Sequence, residues 1–224
     1  MKRQFNICNV IEGATLAELL DNMEKVQGSS SMIELRSDFV KDFKAEDVKK
    51  LASKVNCRSI FTCRNIKEGG KFSGSFDEQQ AILKEAFKEK FDFVDVAFDN
   101  PFIESLSGND KKKLLVSYHD FKETRSSIEL KAVIERMREN SPAIIKIATM
   151  VNDTKDVFTL TDILRQKKNE EKLIVIGMGE AGKLTRVLFP MMGSYLTYAS
   201  ASTKIVQGII SEQELQTVFN ILSK

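Results

Sequence analysis

A chain of 224 residues has room for one sizeable α/β core and not for two such domains. Its 34 lysines and arginines against 32 acidic residues leave a formal charge of +2, so no overall field draws it to nucleic acid or an anionic membrane. Three cysteines without metal spacing and a single histidine exclude a structural zinc site, and no stretch of about 18 apolar residues is present to span a membrane.

The apolar run in MKRQFNICNVIEGA is too short for a signal peptide, which makes the cytoplasm the expected compartment. From there, short apolar runs alternate with charged stretches of helical period. FNICNV (5–10) reads as a strand and TLAELLDNMEKV (15–26) as an amphipathic helix, followed by MIELR (32–36) and AEDVKKLASKV (45–55). RSIFTC (58–63), FDEQQAILKEAFKEK (76–90) and FDFVDVAF (91–98) continue the alternation, with only a doubtful helix near PFIESL (101–106). KKLLVSY (112–118), SSIELKAVIERMREN (126–140), AIIKIAT (143–149) and DVFTLTDILRQKK (156–168) come next. KLIVIG (172–177), GKLTRVLFP (182–190), SYLTYA (194–199) and SEQELQTVFNIL (211–222) complete the series. Strands rich in Ile, Val and Phe without clean alternation are what a parallel sheet buried on both faces requires. Eight such units predict a single closed (β/α)8 barrel over residues 1–224, because closure removes sheet edges and needs only short connections.

LIVIGMGEAGK (173–183) spells GxGxxG after a strand, the pattern of a dinucleotide cradle. That cradle needs an acidic residue about 20 positions on to hold the ribose, and the region there, GSYLTYASASTK, has none. About 40 residues then remain, too few to complete the usual fold, so the motif is read as a strand-to-helix turn.

Barrel chemistry sits at the C-terminal ends of strands, and those ends carry a short set of polar residues. Strand two ends in Glu34 and Arg36, strand three in Arg64 with Glu68 beyond it, and strand five in SYHDF with His119. Lys146 lies inside AIIKIAT, and Arg186 one turn after the glycine-rich loop. An amine among Ile144, Ile145 and Ile147 is desolvated, which favours the uncharged nucleophile that Schiff-base chemistry requires; the plainer reading is a lysine paired with Glu34. His119 supplies proton transfer near neutral pH, Glu68 is placed to orient it, and the three arginines can clamp a small carboxylate.

IELRSD, FTCRNIKEGGKFSG, VSYHDF, IIKIAT and GEAGKLTRVLFPMMGSYLTYA, in this order, resemble the signature segments of type I 3-dehydroquinate dehydratase, the third enzyme of the shikimate pathway. The resemblance implies a (β/α)8 enzyme, usually a homodimer, that needs neither metal nor organic cofactor. It implies that Lys146 forms an imine with the C3 ketone of 3-dehydroquinate, that His119 moves the C2 proton and helps expel the C1 hydroxyl by syn elimination, and that Glu68 positions this histidine. Glu34, Arg36 and Arg64 then contact the substrate's hydroxyls, Arg186 its carboxylate, and Met178 faces the ligand.

The family's SAPGQ-like lid segment is replaced here by Ile205-Val206-Gln207-Gly208-Ile209. Two polar lid residues become apolar, with Gln207 or Ser202 as the nearest substitutes, and weaker substrate binding is expected. Two alternatives stand beside this reading. One is another imine-forming, aldolase-like barrel enzyme; the other is a catalytically weakened barrel serving as an interaction module, against which the shared presence of Lys146, His119, Glu68 and Arg186 argues.

Overall fold

The computed structural model describes residues 5–200 and 210–222. Eight parallel strands alternate with helices: β1 (Ile7–Ile11), α1 (Leu16–Gln27), β2 (Met32–Arg36), α2 (Ala45–Lys54), β3 (Arg58–Thr62), α3 (Phe76–Lys88), β4 (Phe93–Ala97), α4 (Gly108–Lys111), β5 (Leu114–Asp120), α5 (Ser127–Glu139), β6 (Ile144–Met150), α6 (Thr154–Arg165), β7 (Leu173–Met178), α7 (Thr185–Met192), β8 (Thr197–Ser200) and α8 (Glu212–Leu222). The predicted barrel is present. Its weak fourth helix is a 3-10 turn over Pro101–Ser105 followed by one short turn of α4. Side-chain caps start α3, α5 and α6: Ser75, Ser126 and Asp153 each accept a backbone N–H in a capping box, which satisfies donors the helix itself cannot.

Each strand sends alternate side chains to opposite faces, so one set meets the helices and the other fills the barrel. Leu35, Phe61, Val94, Val96, Val116, Ile145, Ile147 and Val175 belong to the outer core against the helices. Met32, Ile60, Phe93, Leu115, Ile144 and Ile174 form an apolar layer inside. Two residues further along five of these strands stand Glu34, Thr62, Asp95, Ser117 and Lys146, all buried. The barrel interior is therefore apolar toward the N-terminal ends of its strands and charged one layer higher. This corrects one expectation: Lys146 shares its face with Ile144 and Ala148, whereas Ile145 and Ile147 point away from it.

The ladder runs β7-β6-β5-β4-β3-β2-β1-β8. Between β7 and β8 the circle is completed by single bonds. Tyr195 N–H donates to the Leu173 carbonyl at 2.9 Å. The buried Ser194 hydroxyl accepts the Val175 N–H at 3.2 Å and donates to the Leu196 carbonyl at 3.2 Å. That is why β8 starts at Thr197 and not at Ser194 as its apolar run suggests. Ser194→Ala leaves a buried N–H without its partner and should cost about 1–3 kcal/mol in urea denaturation. An unchanged midpoint, with the Val175 amide still protected from hydrogen exchange, would show that the seam does not depend on this side chain.

Candidate active site

The charged layer is a closed network. The Nζ of Lys146 lies 3.4 Å from both Glu34 Oε1 and Asp95 Oδ2, and 4.4 Å from the centroid of the Tyr198 ring. Thr62 Oγ1 donates to the same Glu34 oxygen at 2.9 Å. Arg64, just beyond β3, donates to Asp95 Oδ1 at 2.6 Å, to Ser117 Oγ at 2.7 Å and to His119 Nδ1 at 2.6 Å. Ser117 in turn donates to Asp95 Oδ1 at 2.6 Å. Strand register makes these meetings possible: Ser117 pairs with Lys146, and Thr62 with Asp95.

Two carboxylates and two cations cancel in charge, which is what allows all four to be buried; removing one partner of such a set costs about 3–5 kcal/mol, because the other is left uncompensated. Burial by itself would raise the Asp95 carboxyl. Arg64, Lys146 and the hydrogen bonds from Ser117 and Lys146 outweigh it and hold that carboxyl below its ordinary range. Lys146 is buried and makes the expected Glu34 contact, with Asp95 as a second carboxylate at the same distance.

His119 is held from two sides. Phe121 stacks on it with ring centroids 5.8 Å apart, and Arg64 faces Nδ1. Burial first, then the positive charges of Arg64, Lys146 and Arg36, push the imidazole well below its ordinary 6.5. An arginine only donates, so Nδ1 accepts and the proton of the neutral ring resides on Nε2.

Among the described residues, Glu68 makes no hydrogen bond to this ring. Its carboxylate accepts from Asn65 N–H, Gln79 Nε2 and Asn100 Nδ2, each at 3.0 Å. The expected role is corrected accordingly: Glu68 is a capping-box residue of the 3-10 turn Ile66–Glu68, and it holds the loop that begins at Arg64. Four residues of separation from Arg64 put it on the same predicted rim as His119, but the turn directs its side chain toward α3.

Arg36 makes a bidentate pair with Asp38, at 2.9 and 2.8 Å, and lies over the Phe39 ring. Burial opposes its charge, but the Asp38 hydrogen bonds and charge raise the guanidinium further above its usual range. Arg186, in the first turn of α7, is buried and donates to the Tyr198 carbonyl at 3.3 Å; burial lowers it to about 10. The glycine-rich loop places it. Gly179 has φ of +78°, and a Cβ on Gly182 would meet the Gly177 carbonyl at 2.5 Å, so two glycines serve the turn and the close fold-back. The Thr185 hydroxyl then bridges Gly177 N–H and the Gly182 carbonyl, fixing the start of α7. Met178 ends β7 against the interior apolar layer. Gln207 and the rest of the 201–209 segment lie outside the described residues.

Asp95, Ser117 and Tyr198 belong to this network yet escape the strand-end rule, because each sits inside its strand; Thr62 does end β3, but it is not an ionisable residue of the kind that rule singles out. A period-two signal does mark them: Asp95 is a carboxylate between Val94 and Val96, both of which face the outer core.

Residues 7–224 match the type I 3-dehydroquinase family model. The 3-dehydroquinate dehydratase of Coxiella burnetii is 38% identical over 200 residues, covering 89% of this chain and 85% of that one. The enzyme of the same name from Methanocaldococcus jannaschii is 34% identical over 203 residues, covering 88% and 90%. Among solved structures, the type I 3-dehydroquinate dehydratase of Clostridium difficile with covalently modified comenic acid superposes with a TM-score of 0.89 at 26% identity, over 98% of this chain and 93% of that one.

The chain's single imidazole makes this geometry testable by NMR. His119 should titrate below 6.5, so that between its folded midpoint and 6.5 the unfolded chain binds more protons and stability falls as pH drops through that window. Glu68→Gln should leave the midpoint in place. A fall of about one unit or more would mean that the carboxylate faces the ring after all.

Proposed function

The chain belongs to the type I 3-dehydroquinase family, and on that premise we propose that it works through an imine on Lys146, with His119 moving the protons. The reaction is that of a carbon–oxygen lyase of the shikimate pathway: 3-dehydroquinate loses water to give 3-dehydroshikimate. The observation that carries the imine reading is the placement of Lys146, a buried amine on the interior face with a carboxylate on either side.

Glu34 or Asp95 takes the ammonium proton, and the freed lone pair bonds to the C3 carbonyl carbon. The carbonyl oxygen departs as water once it has been protonated, leaving an iminium. Its positive charge occupies the place of the ammonium, so the two carboxylates that hold the resting lysine also stabilise the intermediate without reorganising. The iminium acidifies the neighbouring C2 proton. His119 takes that proton, and the C2–H electrons form a C2–C3 double bond as the iminium becomes a neutral enamine; the enamine then restores the iminium, forms the C1–C2 double bond as C1–O breaks, and the hydroxyl leaves as water with the proton from His119. A second water hydrolyses the imine and restores Lys146.

His119 is suited to this at neutral pH because its surroundings keep it uncharged. In the resting geometry Nε2–H is the donor and Arg64 occupies Nδ1. Arg64 turning to the substrate's hydroxyls frees that lone pair to accept the C2 proton. Glu34 and Arg36 also meet the hydroxyls, Arg186 pairs with the substrate carboxylate at the end opened by the glycine-rich loop, Met178 packs on the ring, and Gln207 stands in for the missing lid residues. Glu68 contributes by fixing the Arg64 loop. A homodimer in the cytoplasm is the assembly and place this reading expects, with the small-molecule substrate as partner and no cofactor.

Incubation with 3-dehydroquinate and borohydride should leave a reduced adduct that peptide mapping places on Lys146. Lys146→Met should abolish both adduct and turnover. His119→Ala should slow turnover by about 10²–10⁴-fold while retaining trapping by borohydride. An adduct on another lysine, or full activity in either variant, would remove these residues from their roles.

A further inference from the structure

Among the described residues, Tyr198 is the one aromatic side chain whose ring lies over the Lys146 amine. It leaves β8 toward the interior, pairs in register with Cys8 of β1, and is buried. Its ring centroid is 4.4 Å from Lys146 Nζ, within cation–π range. Its hydroxyl is also buried and, among the described residues, has no hydrogen-bond partner.

The groups that face Lys146 can be assigned strand by strand. Glu34 comes from β2, Asp95 from β4 and Tyr198 from β8, with Arg64 behind Asp95, while Cys8 of β1 and His119 of β5 lie near enough to feel the lysine's charge. Both carboxylates stand at 3.4 Å, a long hydrogen-bond distance, so neither pins Nζ tightly. A ring offers something that a third carboxylate would not. It attracts a cation with its face and accepts no proton, so the amine can still release its proton to Glu34 or Asp95. Burial first, then the nearby Glu34, Cys8 and Asp95, push the phenol well above its ordinary range, which keeps the hydroxyl protonated and idle.

We propose that the face of the Tyr198 ring, and not its hydroxyl, is a positioning element for Lys146, holding the ammonium and then the iminium between Glu34 and Asp95. The iminium half of this statement rests on the imine reading above; the ammonium half does not. A cation passing from ammonium to iminium keeps its charge, so one ring face serves both.

The test reads the amine without substrate. Lys146 is reductively methylated with formaldehyde and cyanoborohydride across a pH series, and the extent is measured by peptide mass in the wild type and in Tyr198→Phe and Tyr198→Leu. The ring favours the charged amine, so its loss lets deprotonation begin at lower pH. Tyr198→Leu should therefore lower the methylation midpoint by about 0.5–1 pH unit, the shift that about 0.7–1.4 kcal/mol of cation–π attraction produces. Tyr198→Phe should keep the wild-type midpoint, and its melting temperature should not fall, since the deleted hydroxyl makes no bond. If Tyr198→Leu does not fold, fluorinated phenylalanines at 198 preserve the shape while weakening the ring face, and the midpoint should drop stepwise with fluorine count. An unmoved midpoint in Tyr198→Leu or in the fluorinated series overturns the proposal. So does a Tyr198→Phe shift as large as that of leucine, which would assign the effect to the hydroxyl. In turnover, the leucine variant should lose about 3–10-fold in kcat with KM nearly unchanged. Absence of a borohydride adduct in the wild type would sink the imine reading, while the methylation series would still decide whether the ring holds the amine.

Discussion

A neutral set of four buried charges, Glu34, Asp95, Arg64 and Lys146, is the constraint on which the rest of this barrel depends. None of the four is tolerable alone in that interior. Together they cancel, and Thr62 and Ser117 supply further hydrogen bonds to the carboxylates. The apolar layer below, from Met32 to Ile174, excludes water from one side, so the charges above it interact strongly. The same arrangement holds an amine between two carboxylates, which is the setting on which the proposed imine rests.

Proton chemistry follows from that set at one remove. Arg64 belongs to the charged layer through Asp95 and to the strand-end rim through His119, so a single guanidinium ties the lysine's carboxylate to the imidazole. Its charge also helps to keep the imidazole neutral. Glu68 acts further out, by anchoring the turn from which Arg64 departs. On the opposite side, the glycine-rich loop after β7 folds back on itself closely enough to start α7 with Arg186 turned inward. A sequence motif known for cradling pyrophosphate here serves a turn and the aim of one arginine.

Much of the site was legible from position alone. Glu34, Arg64, His119 and Lys146 are polar residues at or near the ends of apolar strands, and the structure brings all four into one network. Lys146 stood out because a charged side chain inside IIKIAT needs a reason to be there. Asp95 should have stood out equally in FVDVA, but attention to strand ends passes over a mid-strand carboxylate. The role of Glu68 was misplaced because sequence distance from Arg64 says nothing about which way a 3-10 turn points its last side chain.

Apolar runs alternating with charged stretches of helical period were enough to establish eight strand-and-helix units and hence the closed barrel, because burial on both faces and short connections leave few other arrangements. Signature segments were enough to point to the family that the relatives show. Which side chains touch was decided only by the tertiary structure. Barrel shear sets how far each strand is offset from the next, so the register that joins Ser117 to Lys146, or brings Tyr198 of the last strand over an amine of the sixth, is a property of the closed circle and of no single segment.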